Sequence, residues 1–151
     1  MTTPPLPEQG LRPPSDIIAL DVTVGLLVGD AELLPIPARF VYDPRLPFEV
    51  RLELPGPDGA RAAPWVFARD LLTNGLRRPS GEGDVRVHPP CRCHGQQDTR
   101  VHLHGTSGTA LLHIPEQPLR AWLVRTWEAV APGEESGRID WTTALDGLLP
   151  D

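Results

Sequence analysis

The chain has 151 residues, 19 of them proline and 14 glycine, a composition that excludes long helices and favours short elements joined by turns. A net charge of −6 argues against a protein whose main work is gripping phosphate backbones, and two cysteines, Cys91 and Cys93, exclude a disulfide scaffold. No apolar run approaches the roughly 18 residues of a membrane span, and no basic start with an apolar stretch marks export, so a cytoplasmic setting is expected.

Residues 1–15 hold five prolines and few large apolar groups, and read as a disordered or polyproline-like arm ahead of a domain at 16–151. From Ile18 the pattern turns to period two. Ile18, Leu20, Val22, Val24, Leu26 and Val28 alternate with Asp21, Thr23 and Gly25, which predicts a long half-buried strand ending at Gly29-Asp30. Ala38, Phe40 and Tyr42 form a second strand, and Phe48, Val50, Leu52 and Leu54 a third. A Pro55–Gly59 loop leads to a fourth around Pro64–Ala68.

The period then switches. Arg69–Asn74 is a short predicted helix, with Gly75 expected to close it in a left-handed conformation. Val85 and Val87, Val101 and Leu103, then Ala110, Leu112 and Ile114 predict three further strands. Pro115–Ala131 places Leu119, Trp122, Leu123, Trp127 and Val130 on one helical face, with Pro132-Gly133 as its stop. Asp140 is positioned to cap a last short helix. The class is α+β, with antiparallel sheets and helices segregated behind them.

Chemistry-bearing residues are sparse. His88, Cys91, Cys93 and His94, with His102 and His104 close in sequence, have the donor types of a zinc or copper(I) site. The Cys-x-Cys spacing is not a zinc knuckle, however, and Arg92 sets a repelling charge between the thiols. A polar turn followed by an exposed strand face, with Arg100, His102 and His104 opposite Val101 and Leu103, fits the pattern better. Ser107 lies in a glycine turn rather than a nucleophile elbow. The carboxylate pairs Glu134-Glu135 and Glu49/Glu53 read as solvated. Nothing in the pattern makes a positive case for an enzyme or a cofactor.

Charge is distributed unevenly. Residues 61–100 carry seven arginines against four acids, whereas residues 1–60 carry four against nine and residues 101–151 three against seven. Arg77, Arg78, Arg86, Arg92 and Arg100 therefore form a basic stripe on an acidic body, suited to a protein partner or, as an alternative, to single-stranded nucleic acid. Arg77, Arg78 and Arg86 are the candidate partner-binding residues, because loops held on rigid strands often carry recognition.

The run from Trp65 to Val87 reads W-V-F-A-R-D-L-L, then G-L, then R-P-S-G-E-G-D-V-R-V. It resembles the signature of the SsgA-like proteins, sporulation and cell-division regulators of actinobacteria, and a weaker likeness extends from Ala19 to Arg125-Thr126. The resemblance implies a pair of antiparallel four-stranded sheets with helices, in the order ββββα-βββ(β)α, similar to the whirly single-strand-binding fold and assembled as a homotrimer. It implies no enzymatic activity. It also implies a role at the division septum, the best-understood member tethering the tubulin-like protein FtsZ and another member helping to localise that one. The partner expected on this basis is FtsZ or another SsgA-like protein. Two departures point to a divergent paralogue: a longer proline-rich arm, and Pro90-Cys91-Arg92-Cys93-His94-Gly95 where the family usually has serines in place of the cysteines. Within the signature, Trp65, Phe67, Arg69, Asp70, Gly75, Gly81, Gly83 and Asp84 read as fold-maintaining. Trp65 and Phe67 anchor the sheet, Asp70 meets the helix dipole, the glycines supply backbone freedom, and Arg78 or Arg86 pairs with Asp70 or Asp84.

Overall fold

Alternating apolar residues become strands and the two stretches of helical spacing become helices, in a computed structural model that describes residues 16–29, 32–56, 63–91, 97–106 and 108–138. The strands are β1 (Ile18–Val28), β2 (Glu32–Tyr42), β3 (Glu49–Glu53), β4 (Trp65–Ala68), β5 (Val85–His88), β6 (Asp98–Gly105) and β7 (Gly108–Pro115). Helix α1 (Arg69–Gly75) follows β4, α2 (Glu116–Ala129) follows β7, and a 3-10 turn (Glu135–Arg138) ends the described chain. The expected arm at 1–15, Arg92 to His94, Ser107 and the helix expected after Asp140 lie outside the described residues.

The expected pair of sheets is corrected to one. Among the described residues a single seven-stranded antiparallel sheet runs in the order β4-β3-β2-β1-β7-β6-β5. Strand β1 makes it continuous, because it is long enough to serve both halves. It pairs with β2 along its whole length, and on its other edge Gly25 and Leu26 pair with His113 and Leu112 of β7. The α+β class and the placement of one helix after each run of strands agree with the sequence reading.

One face of this sheet holds the core. Phe40, Tyr42, Val50, Leu52, Val87, Val101, Leu103, Leu112 and Ile114 are buried on it, together with Leu72 from α1 and Leu119, Trp122 and Leu123 from α2. Helix α2 lies against β1 and β7, where Trp122 stacks obliquely on Phe40 (5.6 Å between centroids) and donates its indole N–H to the Ile18 carbonyl at 3.1 Å. Helix α1 lies against β4 and β5. Seven residues are too few for a helix to persist by itself, so α1 depends on that packing.

Three local features depart from the sequence reading. Strand β2 begins at Glu32, not near Ala38, despite Pro35 and Pro37. These prolines sit opposite Gly25 and Thr23 of β1, while β3 covers β2 only from Arg39 to Val41. Both prolines therefore occupy positions whose missing N–H would have pointed to an uncovered edge, which is where a strand tolerates proline and where proline blocks edge-to-edge pairing. Phe48 lies before β3 rather than within it and is exposed. Gly75 is the third. It does not take a left-handed conformation but stays within α1, and a Cβ there would fall 2.2 Å from Val87 Cγ1. Its role is close approach of α1 to β5. Gly81, by contrast, does take the left-handed region (φ 103°), and Gly83 meets nothing within 4 Å.

A buried ion pair locks the two helices and the 3-10 turn together. Arg69 opens α1 yet is completely buried, its guanidinium lying 4.8 Å over the Tyr42 ring. Its Nη1 donates to the Thr126 carbonyl at 3.0 Å and its Nη2 to Glu135 Oε2 at 2.8 Å, while Glu135 Oε1 accepts the Gly133 N–H at 2.9 Å. Glu135 is thus buried, against the expectation of a solvated carboxylate. Burial by itself would raise its pKa, but the hydrogen bond from Arg69, backbone N–H groups and the arginine's charge outweigh this and hold it below the ordinary glutamate value.

Two outcomes are expected. Gly75→Ala should cost about 1–3 kcal/mol in urea unfolding, because Val87 has to give way, whereas Gly83→Ala should stay within about 0.5 kcal/mol. Glu135→Gln is expected to cost about 3–5 kcal/mol by stranding the buried guanidinium. The sign with pH is set by the lowered carboxyl. The wild-type chain keeps this contribution above the ordinary glutamate pKa and loses it as pH falls through the folded-state value, whereas thermal melts of E135Q should lack that part of the acid dependence.

Candidate functional site

The face of the sheet opposite the core gathers the basic and imidazole side chains of the second half. Alternation fixes this: with Val85 and Val87 inward, Arg86 and His88 point outward, and the same holds for Arg100, His102 and His104 around Val101 and Leu103. The register sets Arg86 beside His102, His88 beside Arg100, and Arg100 beside His113 of β7. The rings of His88 and His102 meet edge to face at 5.0 Å. His104 Nδ1 lies 2.9 Å from the Thr109 hydroxyl, and His113 Nδ1 lies 3.8 Å from Asp98 Oδ2.

The electrostatics of this face favour the neutral forms of His88 and His102. Burial lowers the pKa of His88, and the charges of Arg100 and Arg86 lower it further. Burial acts first on His102 as well, followed by His88, Arg100, Arg86 and His113. Arg100 makes one long bond, from Nη2 to the Pro89 carbonyl at 3.4 Å, and its Nε is buried without a hydrogen-bond partner among the described residues. Arg86 is exposed and forms no ion pair with a described residue.

A loop borders the face. Ser80 pairs with Val87 through two backbone hydrogen bonds of 2.9 Å, and Gly81 turns the chain between them. Asp84 accepts the His104 N–H at 2.8 Å through its carbonyl. An open cleft of about 410 Å³ results, lined by Glu82, Gly83, Asp84, Arg86, His102, His104 and Thr109. A smaller cleft of about 190 Å³, lined by Thr23, Gly25, Leu33, Pro35, Asp98, His113 and others, lies at the β1–β7 junction.

The candidate partner-binding residues are only partly brought together. Arg86 and Arg100 share the outer face, while Arg77 and Arg78 are exposed in the turn after α1, their N–H groups both bonded to the Asn74 carbonyl at 3.0 Å. Arg92 lies outside the described residues. Neither Arg78 nor Arg86 pairs with Asp70 or Asp84 among the described residues, so that expected pairing is not formed. Within the signature, Phe67 is buried, Trp65 packs half-buried against the core, and Asp70 sits in the first turn of α1. Gly81 supplies a turn, whereas Gly75 serves packing.

Of the candidate metal ligands, Cys91 is half-buried, and Cys93 and His94 lie outside the described residues. Among the described residues no three His, Cys, Asp or Glu side chains converge as a metal site requires. Sequence reasoning missed His88 and His113 as members of the outer face. The signal was present, since both continue the period-two alternation already noted at Arg100, His102 and His104.

Comparison with known proteins accounts for the fold and the signature together. Residues 36–135 match the model of the family described as "Streptomyces sporulation and cell division protein, SsgA". The sporulation-specific cell division protein SsgB of Streptomyces coelicolor is 38% identical over 134 residues, covering 89% of this chain and 96% of that protein. A sporulation-specific cell division protein of Frankia casuarinae is 38% identical over 136 residues, covering 90% and 92%. A solved SsgA-like sporulation-specific cell division protein from Thermobifida fusca superposes with a TM-score of 0.75 at 34% identity, covering 88% of this chain and 96% of that one. A solved structure of Streptomyces coelicolor SsgB gives 0.74 at 39%, covering 81% and 94%. The chain belongs to the SsgA family of sporulation and cell division proteins.

Proposed function

We propose that this protein is a non-enzymatic regulator of septum formation during sporulation, acting in the cytoplasm at the division septum by recruiting or tethering division proteins. The observation that carries this reading is 38% identity to a sporulation-specific cell division protein, spread over 89% of the chain rather than confined to one motif. The partner is FtsZ or another SsgA-like protein, and the assembly is a homotrimer. Three copies of one weak surface convert contacts with a filament into avidity, because the second and third contacts form at high effective concentration. The work is positioning, and the arginines at 77, 78 and 86 are the exposed cationic side chains of the signature.

Co-sedimentation with polymerised FtsZ from the same host tests this. The wild-type chain is expected in the pellet. The variant R77E/R78E/R86E should lose about tenfold in affinity with an unchanged melting temperature, since all three side chains are exposed. Full retention by the triple variant would move the contact elsewhere, and failure of the wild-type chain to sediment would remove FtsZ as the partner.

A further inference from the structure

Two arginines on the outer face of β5–β7 lack acidic partners among the described residues, in a protein whose acids outnumber its bases by 20 to 14. Arg86 and Arg100 stand on neighbouring strands of this face, two positions apart in register, and the His88 and His102 rings meet across the opposite diagonal. Two guanidiniums without acidic partners on one face of a rigid sheet offer planar forks of N–H donors whose geometry matches carboxylates. We propose that this outer face is a docking surface for a carboxylate-rich segment of a partner protein, with Arg86 and Arg100 as its anchors and the His88–His102 ring pair beside them. This deepens the reading that the chain works by holding a partner, and it names the chemistry of what is held.

The surroundings select a peptide over a nucleic acid. Glu82 and Asp84 line the cleft beside Arg86, and Asp98 stands next to His113. A phosphate at every backbone step would meet these carboxylates, whereas a peptide can space its charges to avoid them. No Phe, Tyr or Trp lies on the outward positions of β5, β6 or β7, so bases would find no stacking platform beyond imidazole. Next to the cationic rows lie Leu111, Leu33 and Pro35, which give an apolar side chain of the same peptide a place to rest.

The imidazoles make docking pH-dependent. His88 and His102 face each other and the guanidiniums of Arg86 and Arg100, with His113 beyond on β7 and His104 beside Thr109. Burial and the neighbouring cations disfavour protonation of His88 and His102. An arriving carboxylate favours it, so binding takes up protons and tightens as pH falls.

Fluorescence anisotropy with a labelled peptide of about ten alternating Glu and Leu residues tests the proposal, with the Gln/Leu peptide and a labelled oligothymidylate of equal length as comparisons. The Glu/Leu peptide is expected to bind, and to bind about tenfold more tightly near pH 6 than near pH 8. Arg86→Glu, an exposed substitution that leaves the fold intact by circular dichroism, should weaken binding at both pH values. His88→Gln/His102→Gln should keep the pH 8 affinity and lose the pH dependence. Equal binding of the Gln/Leu peptide, insensitivity to R86E, or tighter binding of the oligothymidylate would each overturn the proposal. Co-sedimentation of the wild-type chain with FtsZ is read without the peptide, so the recruiting role and the chemistry of this face fail separately.

Discussion

A single buried cation holds the signature of this fold in place. Arg69 is the first residue of α1, but instead of facing solvent it crosses the interior to the carboxylate of Glu135, the Thr126 carbonyl in the last turn of α2 and the ring of Tyr42. A charge at zero exposure persists only when it is paired and hydrogen-bonded, so this site dictates where α1, the end of α2 and the 3-10 turn must meet. Trp127 of α2 reinforces the same junction through its N–H to the Thr73 hydroxyl at 3.3 Å. Once α1 is fixed, so is the chain beyond it: the Arg77-Arg78 turn, the Ser80–Val87 bridge and the edge strand β5 that carries Arg86. The interior ion pair and the exposed arginines are thus two ends of one piece of architecture.

The sheet divides its labour by face. Its inner face and two helices make one continuous core, and its outer face is left to polar and charged side chains in the second half. In this chain the outer face of the second half carries arginine and histidine, while the first half shows Leu33, Pro35 and Pro37 along an edge that proline keeps from pairing with another strand. A stiff platform of this kind spares the ordering cost of association, because its geometry is preformed.

Much of this is legible in the sequence, and the remainder is hidden for physical reasons. Period-two alternation locates every strand, and the spacing from Leu119 to Val130 locates α2, because burial on one face leaves a periodic trace. The joining of two expected sheets into one is hidden, since two residue pairs between Gly25-Leu26 and Leu112-His113 leave no pattern in a linear sequence. Pro35 and Pro37 mask half of β2, because proline disfavours strands except at an uncovered edge, and edges are tertiary facts. Gly75 reads as a helix stop, whereas Val87 beyond it explains the missing side chain. Glu135, next to Glu134 after Pro132-Gly133, looks like any surface carboxylate. Only the packing that brings Arg69 to it, 66 residues away in sequence, distinguishes the two glutamates. The exposure of Arg77, Arg78 and Arg86 is legible from their neighbours, but sequence separates Arg86 from Arg100 while pairing of β5 with β6 puts both on one face.

The central claim, that this chain serves septum formation in sporulating cells, is tested most directly by deleting its gene and imaging septa through sporulation. The account expects absent or misplaced sporulation septa with vegetative growth intact, restored by the wild-type gene. Evenly spaced, normally timed septa in the deletion strain would contradict it.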